Sequence, residues 1–178
     1  MDNLAIYEST DLLPGYTPEA AMIRAKEAVN TVMKVIASRP KPLVINGKQY
    51  LEYQDWRLLA LYFGITTKTD NVAEMNELCE VEVNGVTGNR IKFIGYVVEA
   101  SALRDGKVLT TSSAECTRHE KAWVNKDRFQ IREMATIRAK RSALKDVLRW
   151  VFSMASLDMP ELEKVEVDKD VDDSERLF

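Results

Sequence analysis

Arg90-Ile91-Lys92-Phe93-Ile94-Gly95-Tyr96-Val97-Val98-Glu99-Ala100-Ser101-Ala102-Leu103, followed by Arg104-Asp105-Gly106 and the run Lys107 to Arg118, decides the fold. β-Branched and aromatic residues crowd the first run, and such side chains suit a pleated strand. Asp-Gly supplies the positive φ angles of a tight hairpin turn. The stretch therefore predicts two long antiparallel strands, 90–103 and 107–118. Upstream, Cys79-Glu80-Val81-Glu82-Val83 alternates apolar with charged, so the strand grammar starts at about Leu78. Asn84-Gly85 and Gly88-Asn89 mark the turn between that strand and the long pair.

Helical signals flank this meander. Thr17-Pro18-Glu19 offers a capping hydroxyl, a proline for the first turn and an acid at the positive dipole end. The helix it opens is expected to run to about Ser38, with Met22, Ala25, Val29, Val32, Met33 and Ile36 on one face. Pro40 and Pro42 stop it. Asn46-Gly47 between Leu43-Val44-Ile45 and Lys48-Gln49-Tyr50-Leu51 predicts a short hairpin, then a helix over about Gln54 to Phe63 ended by Gly64. After the meander, Arg128 to Met154 reads as the longest helix. The order predicts an α+β domain over residues 1–157: an antiparallel β-meander packed on one long helix, with an N-terminal helix and a short hairpin-helix unit.

Composition narrows the chemistry. In 178 residues there are one histidine and two cysteines, Cys79 and Cys116, which disfavours His-rich metal sites, acid–base triads and a disulfide framework. A reducing cytoplasm is the simplest setting. No apolar run approaches the ~18 residues a membrane helix needs. Met1 to Thr10 carries Asp2 and Glu8 and has no basic start, so no secretory signal is expected. Neither a G-x-x-x-x-G-K-[ST] nor a G-x-G-x-x-G phosphate loop is present.

Charge is polarised. Residues 158–178 hold nine carboxylates against three cations, net -6, which leaves residues 1–157 at +3 out of a total of -3. This acidic tail reads as a flexible, solubilising end; recruitment of a partner, or competition for a basic face, are the alternatives. Arg118 to Arg149 holds ten cations and four acids. On a helical wheel with Arg138 at zero, Arg141, Lys145 and Arg149 fall at about -60°, -20° and +20°. No acid interrupts this stripe, so its cations repel unless an anion is bound, which points to nucleic-acid contact. The alternative is pairing with Glu or Asp from the sheet, such as Glu99 or Glu115. Ile137, Leu144, Leu148 and Val151 form the core-facing seam, and Ala135, Thr136, Ala139 and Ala143 an opposite face small enough for a second subunit. Arg118, Lys121, Lys126 and Arg128 interleave with Trp123 and Phe129, the pattern of a single-strand groove, although Trp123 suits a core or subunit anchor better. Glu80, Glu82, Glu99 and Glu115 with Lys92 would be the residues of a metal-dependent nuclease; alternation of Glu80 and Glu82 is more simply a wet sheet face.

Two blocks resemble a known family. Ala114-Glu115-Cys116-Thr117-Arg118-His119-Glu120-Lys121-Ala122-Trp123 and Phe129 through Lys145 look like the "C…E..W … MA.TRA…ALR" pattern of phage and bacterial single-strand annealing proteins. The chain departs from it at Ile137, inserted before the arginine, and at Lys145, which replaces the last one. The element order over residues 40–153 also resembles the Rad fifty-two group of recombination mediators. Tyr50-Leu51-Glu52-Tyr53 stands for its "YIEG"-like segment, and Ala143 to Phe152 for its "GLKRALRSFG"-like run, with Asp146 where that group has a basic residue.

The resemblance implies an ATP-independent protein, not an enzyme, that binds and anneals single-stranded DNA in homologous recombination. It implies a ring or filament of identical subunits, no cofactor or metal, and a nuclease or single-strand binding protein as further partner. Lys145 and Arg149 match the family's basic groove positions. The DNA-binding set expected here is Arg138, Arg141, Lys145 and Arg149, flanked by Arg118, Lys121, Lys126 and Arg128, in a bacterial or phage-infected cytoplasm. A nuclease subunit and a structural, oligomer-forming phage protein are the rival readings.

Overall fold

A computed structural model describes residues 17–40, 44–45, 48–83 and 86–155. In chain order these form α1 (Pro18–Ala37), β1 (Val44–Ile45), β2 (Lys48–Gln49), α2 (Tyr53–Tyr62), β3 (Ile65–Val83), β4 (Val86–Arg104), β5 (Lys107–Thr117), a 3-10 turn (Lys121–Trp123) and α3 (Arg128–Met154). The fold is α+β: a three-stranded antiparallel sheet in the order β3-β4-β5, with the long C-terminal helix packed on one face. The acidic tail lies outside the described residues.

Local chemistry sets the helix limits. Thr17 is the extended N-cap of α1, and its hydroxyl accepts the Ala20 N–H at 3.3 Å. Asp127 caps α3, its N–H donating to Gln130 Oε1 at 3.1 Å. At the start of α2 the buried Asp55 carboxylate accepts the Glu52 N–H at 2.8 Å and takes a forked ion pair from Arg39, just beyond α1. That pair fixes the exit of α1 to the entry of α2. Gly64, with φ +64°, ends α2.

Asp105 (φ 50°) and Gly106 (φ 77°) are both left-handed, as a two-residue hairpin turn requires, and Arg104 pairs with Lys107 across it. The Asn46-Gly47 and Asn84-Gly85 turns lie outside the described residues, although Ile45 pairs with Lys48 and Val83 with Val86. Gly88-Asn89 is not a turn: it lies inside β4, opposite Val81 and Glu80. β3 begins at Ile65, thirteen residues before the expected start. Its first half, Thr66-Thr67-Lys68-Thr69-Asp70-Asn71, is polar because β3 is an edge strand, where β-branched threonines favour the pleat without needing burial. At Gly95 the strands approach so closely that a Cβ would run into the Cys116 carbonyl oxygen and sit 2.8 Å from Thr117 Cα.

β5 covers only Gly95–Arg104 of β4. Residues 76–83 and 86–93 therefore project beyond it as a two-stranded ribbon, about 27 Å long at ~3.4 Å per residue. Cross-strand partners Leu78 and Ile91 on this ribbon are 69% and 71% exposed.

Two cores share α3. Its N-terminal half buries Ile131, Met134, Ala135 and Ala139 against Val98, Ala100, Cys116 and Trp123. The C-terminal half buries Ala143, Leu144, Val147, Leu148, Val151 and Phe152 against α1, α2 and the base of the sheet. The buried face thus turns by roughly half a circle along the helix. This corrects the wheel in two places: Ile137 is only half-buried, while Ala135, Ala139 and Ala143 are fully buried and cannot meet another subunit. Their small side chains let α3 approach the sheet. On α1 the core face is Ala25, Ala28, Val29, Val32 and Ile36, whereas Met22 is exposed and Met33 packs at the margin.

Candidate nucleic-acid interface

The turning of the buried face divides the predicted cationic stripe. Arg138 sits in the half of α3 that faces the sheet, with only 22% of its side chain exposed. Its guanidinium forks onto Glu120, Nη1 donating to Oε1 at 2.8 Å and Nη2 to Oε2 at 2.6 Å, while Nη1 also reaches the Glu115 carbonyl oxygen at 2.9 Å. Burial pushes the Glu120 carboxyl upward, but the Arg138 fork, the Thr117 N–H and the Arg138 charge outweigh it and hold the group below the usual glutamate range. The carboxylate that Arg138 forks onto comes from the loop after β5, and Arg138 is occupied within the protein.

Arg141, Lys145 and Arg149 form the remaining row, on the half of α3 that packs against α1 and α2. Arg141 lies over the Tyr50 ring, its guanidinium carbon 5.2 Å from the centroid, and donates to the Tyr50 hydroxyl. Lys145 is held below the ordinary lysine pKa, first by burial and then by the charges of Arg149 and Arg141, with Asp146 opposing. Arg149 is exposed. Among the described residues none of the three has a carboxylate within ion-pair distance. Asp146, the nearest acid in sequence, accepts the Ser112 hydroxyl at 2.7 Å and so ties α3 to β5.

A second basic cluster lies at the other end of α3. The guanidinium carbons of Arg128 and Arg118 stand 4.1 and 5.5 Å from the Phe93 centroid, and Phe93 meets Tyr96 edge-on. Arg128 also pairs with Glu74 at 3.4 Å, and Arg118 Nη2 donates to the Lys126 carbonyl at 3.2 Å. Lys121, in the 3-10 turn, is exposed, and Lys126 is half-buried. Arg128 and Arg141 are separated by about 20 Å of helix at ~1.5 Å per residue, so the expected single groove resolves into two patches.

Trp123 is 2% exposed and belongs to the sheet-side core, whereas its neighbour in the motif, Phe129, is 64% exposed beside Arg128. Phe129, not Trp123, is the aromatic of this motif that faces solvent. Tyr50 escaped the sequence reading of the site; its place in the Tyr50-Leu51-Glu52-Tyr53 segment was the only signal. Cys79 and Cys116 are unpaired, and burial pushes the Cys116 thiol up to about 12. Among the described residues no three His, Cys, Asp or Glu side chains converge as a metal site, and no helix is long and apolar enough to cross a membrane.

No protein-family profile, curated protein or solved structure matches this chain.

Proposed function

We propose that this protein binds single-stranded DNA and anneals complementary strands in homologous recombination, without nucleotide hydrolysis. The observation that carries the reading is the row Arg141–Lys145–Arg149, three cations pressed together without a carboxylate partner among the described residues. Within the folded chain burial and the like charges of Arg149 and Arg141 disfavour the Lys145 ammonium at the centre of the row. A phosphate backbone relieves that repulsion. Tyr50, stacked with Arg141, and the exposed Phe129 offer rings for bases.

Arg118, Lys121, Lys126 and Arg128 form the distal part of the track, and Arg138 positions Glu120 and the helix. The protein works as a homo-oligomer, a ring or filament in a bacterial or phage-infected cytoplasm, together with a nuclease or single-strand binding protein. Support for self-association comes from the outer edge of β3, unpaired among the described strands, and from the exposed Leu78–Ile91 pair.

Binding of a fluorescent single-stranded oligonucleotide across a salt series tests the reading, with wild type and Arg141→Glu/Lys145→Glu. Each lost phosphate contact lowers the slope of log K against log salt by about 0.7, so the double variant is expected to lose about 1.4. The expected result is steeply salt-dependent binding and strand annealing by wild type, with weaker binding, a shallower salt slope and loss of annealing in the variant. Absence of oligonucleotide binding by the folded wild type overturns the proposal.

A further inference from the structure

One side of α2 and the start of β3 line, with α3, an open cleft of about 350 Å³ that the nucleic-acid track does not use. Lys140, from α3, and Arg57, from α2, line it together with Tyr53, Thr66, Thr67 and Leu61. Lys140 projects about 100° around α3 from Arg141 and about 140° or more from Lys145 and Arg149, which makes the cleft a separate site.

Its chemistry is one-sided. No carboxylate belongs to the lining, and neither Arg57 nor Lys140 has a carboxylate partner among the described residues. Arg57 is held by neutral groups only: its guanidinium carbon is 5.7 Å from the Tyr53 centroid, and Nη1 donates to Gln54 Oε1 at 3.4 Å. The Tyr53 and Thr67 hydroxyls lie 3.3 Å apart, so each has hydrogen-bonding capacity left for a further partner. Thr66 and Thr67 are consecutive in a strand and point to opposite faces, so the cleft wraps the edge of β3. That edge has no partner strand among the described residues, and alternate backbone N–H groups along it face outward.

Two cations on different elements, hydroxyl donors and an open strand edge are the kinds of group that a doubly charged oxyanion takes as partners. The apolar part of the lining, Ala60, Leu61, Ile65 and Leu144, suits an anion that carries an organic body. The volume falls at the small end of ligand pockets, ~300–1,000 Å³, which suits one compact molecule and not a continuing polymer. We propose that this cleft binds the phosphate monoester of a small organic molecule, of mononucleotide size. The site is independent of the annealing reading and survives its failure.

Titration calorimetry with adenosine 5′-monophosphate, adenosine and inorganic phosphate tests it on the full chain, with amide NMR spectra to confirm folding. The expected result is binding of the monophosphate at least tenfold tighter than of adenosine, and tenfold weakening in either Lys140→Gln or Arg57→Gln. Arg141→Glu/Lys145→Glu is expected to leave this binding intact. Equal affinity for adenosine, no binding at all, or insensitivity to both cleft variants overturns the proposal. So does loss of binding in the Arg141→Glu/Lys145→Glu control, which assigns the anion to the α3 row. A 5′-phosphorylated oligonucleotide that binds through Lys140 where the free monophosphate does not assigns the cleft to a DNA end and overturns it too.

Discussion

Arg138 and Glu120 close a two-point ion pair, 2.6 and 2.8 Å long, between the middle of α3 and the loop after β5. The pair locks the helix over the sheet, so its loss costs stability before it costs binding. Arg138→Ala is expected to destabilise the fold by about 1–2 kcal/mol, a charge-assisted hydrogen-bond value discounted for the partial exposure of Glu120. Glu120 is depressed in the folded state, so its contribution is complete above the ordinary glutamate value of 4.5 and disappears as pH falls through the lower folded value. Urea denaturation at pH 7 and pH 3 checks this: the gap between wild type and Arg138→Ala is expected to narrow at the acid end.

Lys145 has the opposite sign. Its folded pKa lies below the ordinary 10.5, so the charged form is penalised in the native state at neutral pH, and the penalty eases as pH rises past the folded value. Lys145→Met is therefore expected to raise stability slightly, by a few tenths of a kcal/mol at most (~0.3), because solvent screens a half-buried charge, while weakening oligonucleotide binding. Bound phosphate favours the ammonium, so wild-type binding is expected to take up protons on the alkaline side. Calorimetry in two buffers of different ionisation enthalpy between pH 8 and 10 reads this directly. Proton release instead of uptake contradicts the assignment of Lys145 to the anion.

Much of the architecture was legible because local signals and tertiary demand agreed. Asp105-Gly106 needs positive φ, Thr17-Pro18 needs an N-terminus, and Arg128 to Met154 carries no breaker. The start of β3 was not legible, since Thr66 to Asn71 is polar as turns are, and only its pairing with residues 99–104 reveals a strand. The wheel on α3 failed for a different reason. A single wheel assumes one neighbour, whereas α3 has the sheet on its first half and two helices on its second. Hence Arg138 aligned with the other three cations in projection while facing a different environment in space. Tyr50 and Glu120 come from loops whose partners are 91 and 18 residues away, and no periodicity links such positions.

Gly95 is fixed by proximity, not by an unusual φ. Because the Cys116 carbonyl and Thr117 Cα occupy the place of its Cβ, and both are backbone, the neighbours cannot give way by rotating a side chain. Gly95→Ala is expected to cost about 2–3 kcal/mol, in the range of overpacking. The strain falls where β4 departs from β5 into the ribbon, so hydrogen exchange is expected to rise first at Ile94–Tyr96 and Cys116–Arg118. A thermal midpoint unchanged from wild type excludes this close approach.

The Leu78–Ile91 pair stabilises a solitary chain very little. Both side chains are largely in water, and an exposed cross-strand pair contributes at most a few tenths of a kcal/mol to 1 kcal/mol. On the ribbon they continue the face that, further along β4, buries Val98 against α3. An apolar continuation of a core face beyond its own helix suits cover by another copy. Leu78→Lys/Ile91→Lys is therefore expected to leave the urea midpoint of dilute protein within about 0.5 kcal/mol of wild type. The same variant is expected to shift the sedimentation profile from oligomer to monomer, and annealing is expected to fall further than single-strand affinity does. An unchanged sedimentation profile removes the ribbon from the subunit interface.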